Sequence, residues 1–238
     1  MPFIVAGYPN FQTSRKIAKQ LIKEADLLEI GFPYSDPLAD GPVIQAADTQ
    51  ALKSGMTTKK VFRLIKEIRK ESEAPITVLV YANLLYQQGI ENFYRQASAC
   101  GITAVLVPDL PIEESDDFIL AAKKYNIAPI FLVAQTTTSE RLKKISQYAE
   151  GYLYLVSVLG VTGARTSFQR ETMKLIRFVK KNSSLPVAVG FGISNPSQIK
   201  ELKKAGADGV IVGSALVREL NKSESACLKL AKELKNAC

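Results

Sequence analysis

A glutamate stands inside an apolar run, Leu27-Leu28-Glu29-Ile30-Gly31, and two aspartates, Asp36 and Asp40, follow closely. Two carboxyl groups in one cleft can divide acid and base work when their surroundings push their pKa values apart. Burial in the run is expected to raise Glu29 and keep part of it protonated, while a solvated Asp40 stays ionised. Strand alternation puts Glu29 on the face of Leu27, opposite Leu28 and Ile30. A structural glutamate paired to a lysine or arginine is the alternative. An unpaired buried acid is costly and is kept mainly where it has work to do. For the aspartates the alternative is an Asx turn, which suits Asp36 before Pro37 best. The intervening loop carries three prolines and two glycines between Gly31 and Pro42, which stiffen it.

Two further stretches carry chemistry in their backbone. Gly190-Phe191-Gly192-Ile193-Ser194 and Gly213-Ser214 each follow an apolar run, and the second leads into an apolar helical turn, Ala215-Leu216-Val217. Amides of glycine loops and a helix N-terminus together make a phosphate cradle. Glycines serving only tight turns are the plainer explanation. Ser157 to Ser167 is a long polar stretch with two glycines, the pattern of a mobile lid.

These residues need a scaffold, and the hydrophobic pattern supplies one. Eight short apolar runs recur: Phe3 to Ala6, Leu27 to Ile30, Ile76 to Val80, Ala104 to Val107, Pro129 to Val133, Tyr152 to Val156, Pro186 to Val189 and Gly209 to Val212. Each is bounded by turn residues, as in buried parallel strands. Amphipathic stretches lie between them: Ser14 to Ala25, Val61 to Ile68, Glu113 to Tyr125, Ser139 to Tyr148, Thr172 to Lys181, Pro196 to Lys204 and Ser223 to Leu234. Ser139-Glu140 and Asn195-Pro196 read as helix starts. The alternation predicts an α/β fold, a single (β/α)8 TIM barrel of parallel strands over residues 1–238, with its site at the C-terminal strand ends. A doubly wound open sheet is the rival, but no Gly-x-Gly-x-x-Gly follows the first run.

Composition removes whole classes of function. The 238 residues contain no histidine, so His-based metal sites and Ser-His-Asp triads are excluded. Cys100, Cys227 and Cys238 are too scattered for a disulfide framework or a zinc site. No apolar run approaches a membrane span, and the first residues lack a signal-peptide pattern, so a cytoplasmic protein is expected. The net charge of +8 is spread along helix faces, as in Lys16, Lys19 and Lys23, rather than blocked. It reads as a solvated exterior that draws small anions, not as a nucleic-acid surface.

The run Leu28-Glu29-Ile30-Gly31-Phe32-Pro33-Tyr34-Ser35-Asp36-Pro37-Leu38-Ala39-Asp40-Gly41-Pro42-Val43-Ile44-Gln45 closely resembles the signature of the tryptophan synthase α-subunit family. The resemblance continues in order through Tyr81-Ala82-Asn83, Val107-Pro108-Asp109-Leu110-Pro111, Gly160-Val161-Thr162-Gly163, Gly190 to Ser194 and Gly213-Ser214. It implies a carbon–carbon lyase of tryptophan biosynthesis that cleaves indole-3-glycerol phosphate to indole and glyceraldehyde 3-phosphate. Glu29 is then the main acid–base residue, Asp40 its partner and Tyr154 an assistant near the glycerol hydroxyl. Phe3, Tyr81 and Phe191 would wall the indole. Gly163, Gly192, Gly213 and Ser214 would bind phosphate, and the Thr162 hydroxyl of the lid would reach Asp40. The resemblance also implies an α2β2 complex with a pyridoxal-phosphate β subunit, contacted through Asp36, Pro37, Asn83, Asp109 and Pro111, and no metal or cofactor on this chain.

The chain departs from the family pattern at three points. Family members usually carry a helix before the first strand; here Met1 begins at the strand, so an exposed barrel floor is expected. Tyr8 stands in Gly7-Tyr8-Pro9 where an acidic residue is common, and Leu159 where a small hydroxyl residue is usual. The last two leave room for a second reading, an α subunit of weakened chemistry that mainly activates its β subunit. A third, another phosphate-binding barrel such as a sugar-phosphate isomerase, accounts for Gly192 and Gly213-Ser214 but not for the Asp36 to Pro42 loop.

Overall fold

The structure is a computed structural model that describes residues 1–156, 165–190 and 192–238, with residues 165–169 described as backbone only. Strands and helices alternate along the chain. In order they are β1 (Phe3–Val5), α1 (Phe11–Glu24), β2 (Leu28–Gly31), α2 (Pro42–Lys53), α3 (Thr58–Arg69), β3 (Ile76–Leu79), α4 (Ala82–Gln88), α5 (Ile90–Ala99), β4 (Ala104–Leu106), α6 (Asp116–Lys124), β5 (Ala128–Val133) and α7 (Ser139–Tyr148). Then come β6 (Leu153–Val156), α8 (Arg165–Asn182), β7 (Val187–Gly190), α9 (Pro196–Ala205), β8 (Gly209–Val210), α10 (Ser214–Lys222) and α11 (Glu224–Lys235).

The strands pair in sequence order, each parallel to the next. The ends of the sheet meet: Pro2 bridges Val212, the Phe3 amide donates to the Val212 carbonyl at 2.8 Å, and the Val212 amide donates to the Met1 carbonyl at 3.0 Å. The result is the closed (β/α)8 barrel predicted from the pattern of runs. β1, β2, β3, β4 and β7 are buried at every position, because the lumen packs one face and the helices cover the other.

The helices follow the apolar stripes. In α1, Ile17, Ala18, Leu21 and Ile22 are buried, and in α3 Val61, Leu64, Ile65 and Ile68 are. Their outer faces carry ion pairs such as Arg15–Glu67 and Lys19–Glu71. Caps fall close to the expected places. Asn195 forms a full capping box with Gln198 at the start of α9. In α7 the cap is Thr138, one residue before the expected Ser139, because its side chain accepts from the Arg141 amide.

Several boundaries differ from expectation. The stretch Glu113 to Tyr125 is split into a 3-10 turn, Ile112–Glu114, and α6, and the Ser115 hydroxyl donates to the Ile112 carbonyl at the break. α8 starts at Arg165, seven residues before Thr172, so the end of the expected lid is helical backbone. Helices α2, α4, α5 and α10 lie outside the expected stretches; of these, α2 has a weak apolar stripe and begins at Pro42, and α4 spans only Ala82–Gln88.

A cavity of about 820 Å³ opens beside the starts of β1 and β2 and is lined by Met1, Pro2, Leu21, Asp26, Val210 and Leu228, among others. Neither Glu29 nor Asp40 lines it. No described helix is long and apolar enough to cross a membrane.

Candidate active site

Two aromatic side chains locate the mouth of the barrel. The Phe3 ring occupies the space that a side chain on Gly31 or Gly213 would need: a Cβ there would lie 2.7 or 2.8 Å from it. The Tyr154 ring fills the equivalent space at Gly190, where a Cβ would lie 2.4 Å from the tyrosine hydroxyl. Glycine is required at these strand ends because the rings turn inward over them.

Glu29 lies in register with Phe3 on one side and Thr77 on the other. Its inward direction follows from Thr77. Tyr152, which precedes β6, places its hydroxyl 3.5 Å from Thr77 Oγ1. β3 and β6 are separated in the sheet by β4 and β5, so this contact crosses the lumen. Glu29 is fully buried, and neither carboxyl oxygen has a hydrogen-bond partner among the described residues. Loss of solvent raises its pKa to about 8; the nearby Asp40 adds to the rise and the Met1 amino group opposes it. The acid expected from the sequence is thus buried, unpaired and largely protonated at neutral pH.

Asp40 corrects one expectation. It is half-buried rather than solvated, and desolvation raises its pKa; the hydrogen bond from Tyr81 opposes the rise. Tyr81 Oη donates to Asp40 Oδ2 at 2.7 Å and accepts the Ala39 amide at 3.1 Å. Gln45 Nε2 donates to the Asp40 carbonyl at 2.8 Å. Tyr81, expected to wall an apolar ligand, therefore clamps the Asp40 loop with its hydroxyl.

The clamp extends sideways. Tyr34 stacks on Tyr81 with ring centroids 4.9 Å apart, and Asn83 Nδ2 donates to the Tyr34 hydroxyl at 3.3 Å. Asp109 Oδ1 accepts the Ala82 amide at 2.9 Å. Asp36, Asn83 and Asp109 are exposed and Pro111 is partly exposed; Asn83 lies in the first turn of α4 and the others on the loops after β2 and β4. Pro37 is buried; beside it Leu38 is 92% exposed, an apolar side chain that the sequence reading passed over.

On the opposite rim, Gly192 has φ of +74° and Gly213 precedes the first turn of α10, opened by Ser214. No described side chain caps that helix. Tyr154 is buried, and its hydroxyl is held well above the usual tyrosine range by desolvation, then by the nearby Glu29. The Tyr8 hydroxyl donates to Asn221 Oδ1 of α10, so this departure ties the first turn to that helix. Thr162, Gly163, Phe191 and Leu159 lie outside the described residues.

Two buried polar residues escaped the sequence reading. Asp48 sits on the inward stripe of α2 with Ile44, Ala47 and Ala51, and desolvation, then Asp40, raises it to about 8. An acid on an apolar helical stripe was the available signal. Thr77 is fully buried within β3, and its signal was a hydroxyl inside the apolar run Ile76 to Val80.

A family model described as tryptophan synthase alpha chain matches residues 1–238. Curated relatives of that name include one from Methanothermobacter thermautotrophicus, 53% identical over 218 residues, which are 91% of this chain and 81% of the relative. One from Methanoregula boonei is 51% identical over 93% of this chain and 84% of its own length. A solved structure from Pyrococcus furiosus, described as concerning mutual activation of the tryptophan synthase a2b2 complex, superposes with a TM-score of 0.92. It is 38% identical and covers 99% of this chain and 96% of its own. Tryptophan synthase from Mycobacterium tuberculosis gives a TM-score of 0.91 at 33% identity, over 99% and 90% of the two chains.

Proposed function

The chain belongs to the tryptophan synthase alpha chain family, and from that premise we propose that Glu29, Asp40 and Tyr154 carry its lyase reaction. The reaction is retro-aldol cleavage of indole-3-glycerol phosphate to indole and glyceraldehyde 3-phosphate. The observation that carries the assignment is Glu29: an inward carboxyl group, fully buried, without a partner and raised to about 8.

The chemistry needs one proton given and one taken. Protonated Glu29 delivers its proton to the indole ring carbon that bears the glycerol chain, which leaves the positive charge on the ring nitrogen. Asp40, held by Tyr81, faces the indole N–H and stabilises that charge. The new Glu29 carboxylate then takes the proton of the adjacent glycerol hydroxyl. The carbon–carbon bond breaks, its electron pair returns to the ring, and an aldehyde forms on the departing fragment. Glu29 ends protonated, so no proton is consumed. Tyr154 lies close enough to feel the Glu29 charge and assists near that hydroxyl. The Gly192 loop, Gly213 and the first turn of α10 receive the phosphate, together with Gly163. Phe3 and Phe191 flank the indole.

No metal or cofactor takes part in these steps on this chain; pyridoxal phosphate belongs to the β subunit. Partnership with a β subunit in an α2β2 complex is supported by the a2b2 assembly of the Pyrococcus furiosus relative. The face for it is the rim carrying Asp36, Leu38, Asn83, Asp109 and Pro111, which the Tyr34–Tyr81 stack connects to Asp40. A cytoplasmic setting suits the three free thiols. Indole release by Glu29→Gln, followed spectrophotometrically with and without a β subunit, tests the assignment. Near-full activity would remove Glu29 from the role.

A further inference from the structure

Buried hydroxyl groups next to a carboxyl group without a described partner need an account, because a buried polar group left unpaired is costly. Thr77 is fully buried, lies in register with Glu29 on the neighbouring strand and faces the same lumen. Adjacent parallel strands are about 4.8 Å apart, so these two side chains stand side by side. The Tyr152 hydroxyl donates to Thr77 Oγ1 across 3.5 Å. A threonine hydroxyl carries a proton of its own to give, and both Glu29 oxygens lack a donor among the described residues. A donor group and an unserved acceptor therefore share one layer of the barrel.

We infer that Thr77 is a positioning residue for Glu29: oriented by Tyr152, its hydroxyl donates to the carboxylate formed when Glu29 has given up its proton. The inference rests on the acid–base role proposed for Glu29. A donor that binds the ionised form lowers a carboxyl pKa, so Thr77 offsets part of the rise that burial imposes. It would hold the carboxylate in one rotamer between giving and taking its proton. The other groups acting on Glu29 are Asp40 and the Met1 amino group, and both Tyr152 and Tyr154 feel its charge. None of these supplies a described hydrogen bond to either oxygen.

The experiment uses Thr77→Val, which keeps shape and loses the hydroxyl, and Thr77→Ser, which keeps the hydroxyl. Tyr152→Phe removes the orienting donor and serves if the valine variant does not fold. Two readouts are taken. The first is kcat and KM for indole release against pH, in the presence of a β subunit. The second is the infrared carboxyl titration of Glu29, isolated by difference from Glu29→Gln, which needs no turnover. Thr77→Val is expected to lower kcat about tenfold with KM little changed, and to move the Glu29 titration up by about one pH unit. That is the scale of one hydrogen bond to a charged group. Thr77→Ser should restore both, and Tyr152→Phe should give a smaller shift in the same direction. An infrared titration that stays in place in Thr77→Val or Tyr152→Phe, or a serine variant that behaves like valine, overturns the inference. If the infrared titration moves and turnover does not, Thr77 contacts Glu29 and the catalytic role of Glu29 itself fails.

Discussion

The two rims of the barrel mouth are built on different principles. On the β2 side the chemistry is carried by side chains. Glu29 is placed by strand register, and Asp40 is fixed by Tyr81, which is stacked on Tyr34. On the β7–β8 side the proposed phosphate binding rests on backbone, and the side chains that matter there are absent ones. Gly190 and Gly213 are empty so that Tyr154 and Phe3 can fill the space, and α10 begins without a side-chain cap. Proton transfer needs groups whose pKa can be moved, and burial moves them; anion binding needs amides that converge, and a bare helix start supplies them. Substitutions on the first rim should therefore act on turnover, and those on the second on binding.

The largest effect is expected at Glu29. Glu29→Gln keeps volume and removes proton transfer, so kcat for indole release should fall at least about 100-fold with KM nearly kept. A KM defect at constant kcat would put Glu29 with the binding rim. Gly213→Asp should do the reverse. Its Cβ meets the Phe3 ring and its charge opposes a phosphate, so KM should rise about tenfold or more. Inhibition by glycerol 3-phosphate should weaken in parallel; unchanged inhibition would move the phosphate elsewhere.

Tyr81→Phe tests the clamp. It removes the donor to Asp40 and the acceptor for the Ala39 amide, and kcat should fall about tenfold. An unaltered rate would mean that the stacking on Tyr34 alone holds the loop.

A last effect is on stability and separates the rims at equilibrium. Glu29 has a folded pKa of about 8 against an ordinary value of 4.5. Between those values the folded state holds a proton that the unfolded state releases, so this group makes stability fall as pH rises. Glu29→Gln escapes the penalty. Its Tm should match the parent near pH 4 and exceed it progressively toward pH 9. Asp48→Asn should behave alike, since Asp48 is raised to about 8 in the same way. Gly213→Asp should lower Tm at every pH. Thermal scans across pH read all three, and a Glu29→Gln curve parallel to the parent would contradict the buried, protonated acid.

How much of this was legible in the sequence depends on how local the cause is. Strand runs and amphipathic stretches state their own burial pattern, so the barrel and its strand positions were readable to within a residue or two. Glu29 was readable because an acid in an apolar run contradicts its surroundings. Helices α2 and α4 were less so, since a stripe interrupted by an acid and a helix of two turns carry little periodicity of their own.

The sequence by itself determined which residue types were available and where the strands and their terminal loops would fall. With no histidine, the chemistry was left to carboxylates, Tyr, Lys, Arg, backbone amides or a bound cofactor. Only the tertiary structure decided their electrostatic state. Asp40 is half-buried because Tyr81, arriving from β3, closes over it. Thr77 and Tyr152 meet only because eight strands close and bring β3 opposite β6. A pKa and a hydrogen bond depend on distances between residues remote in the chain, and those distances exist only once the barrel has closed.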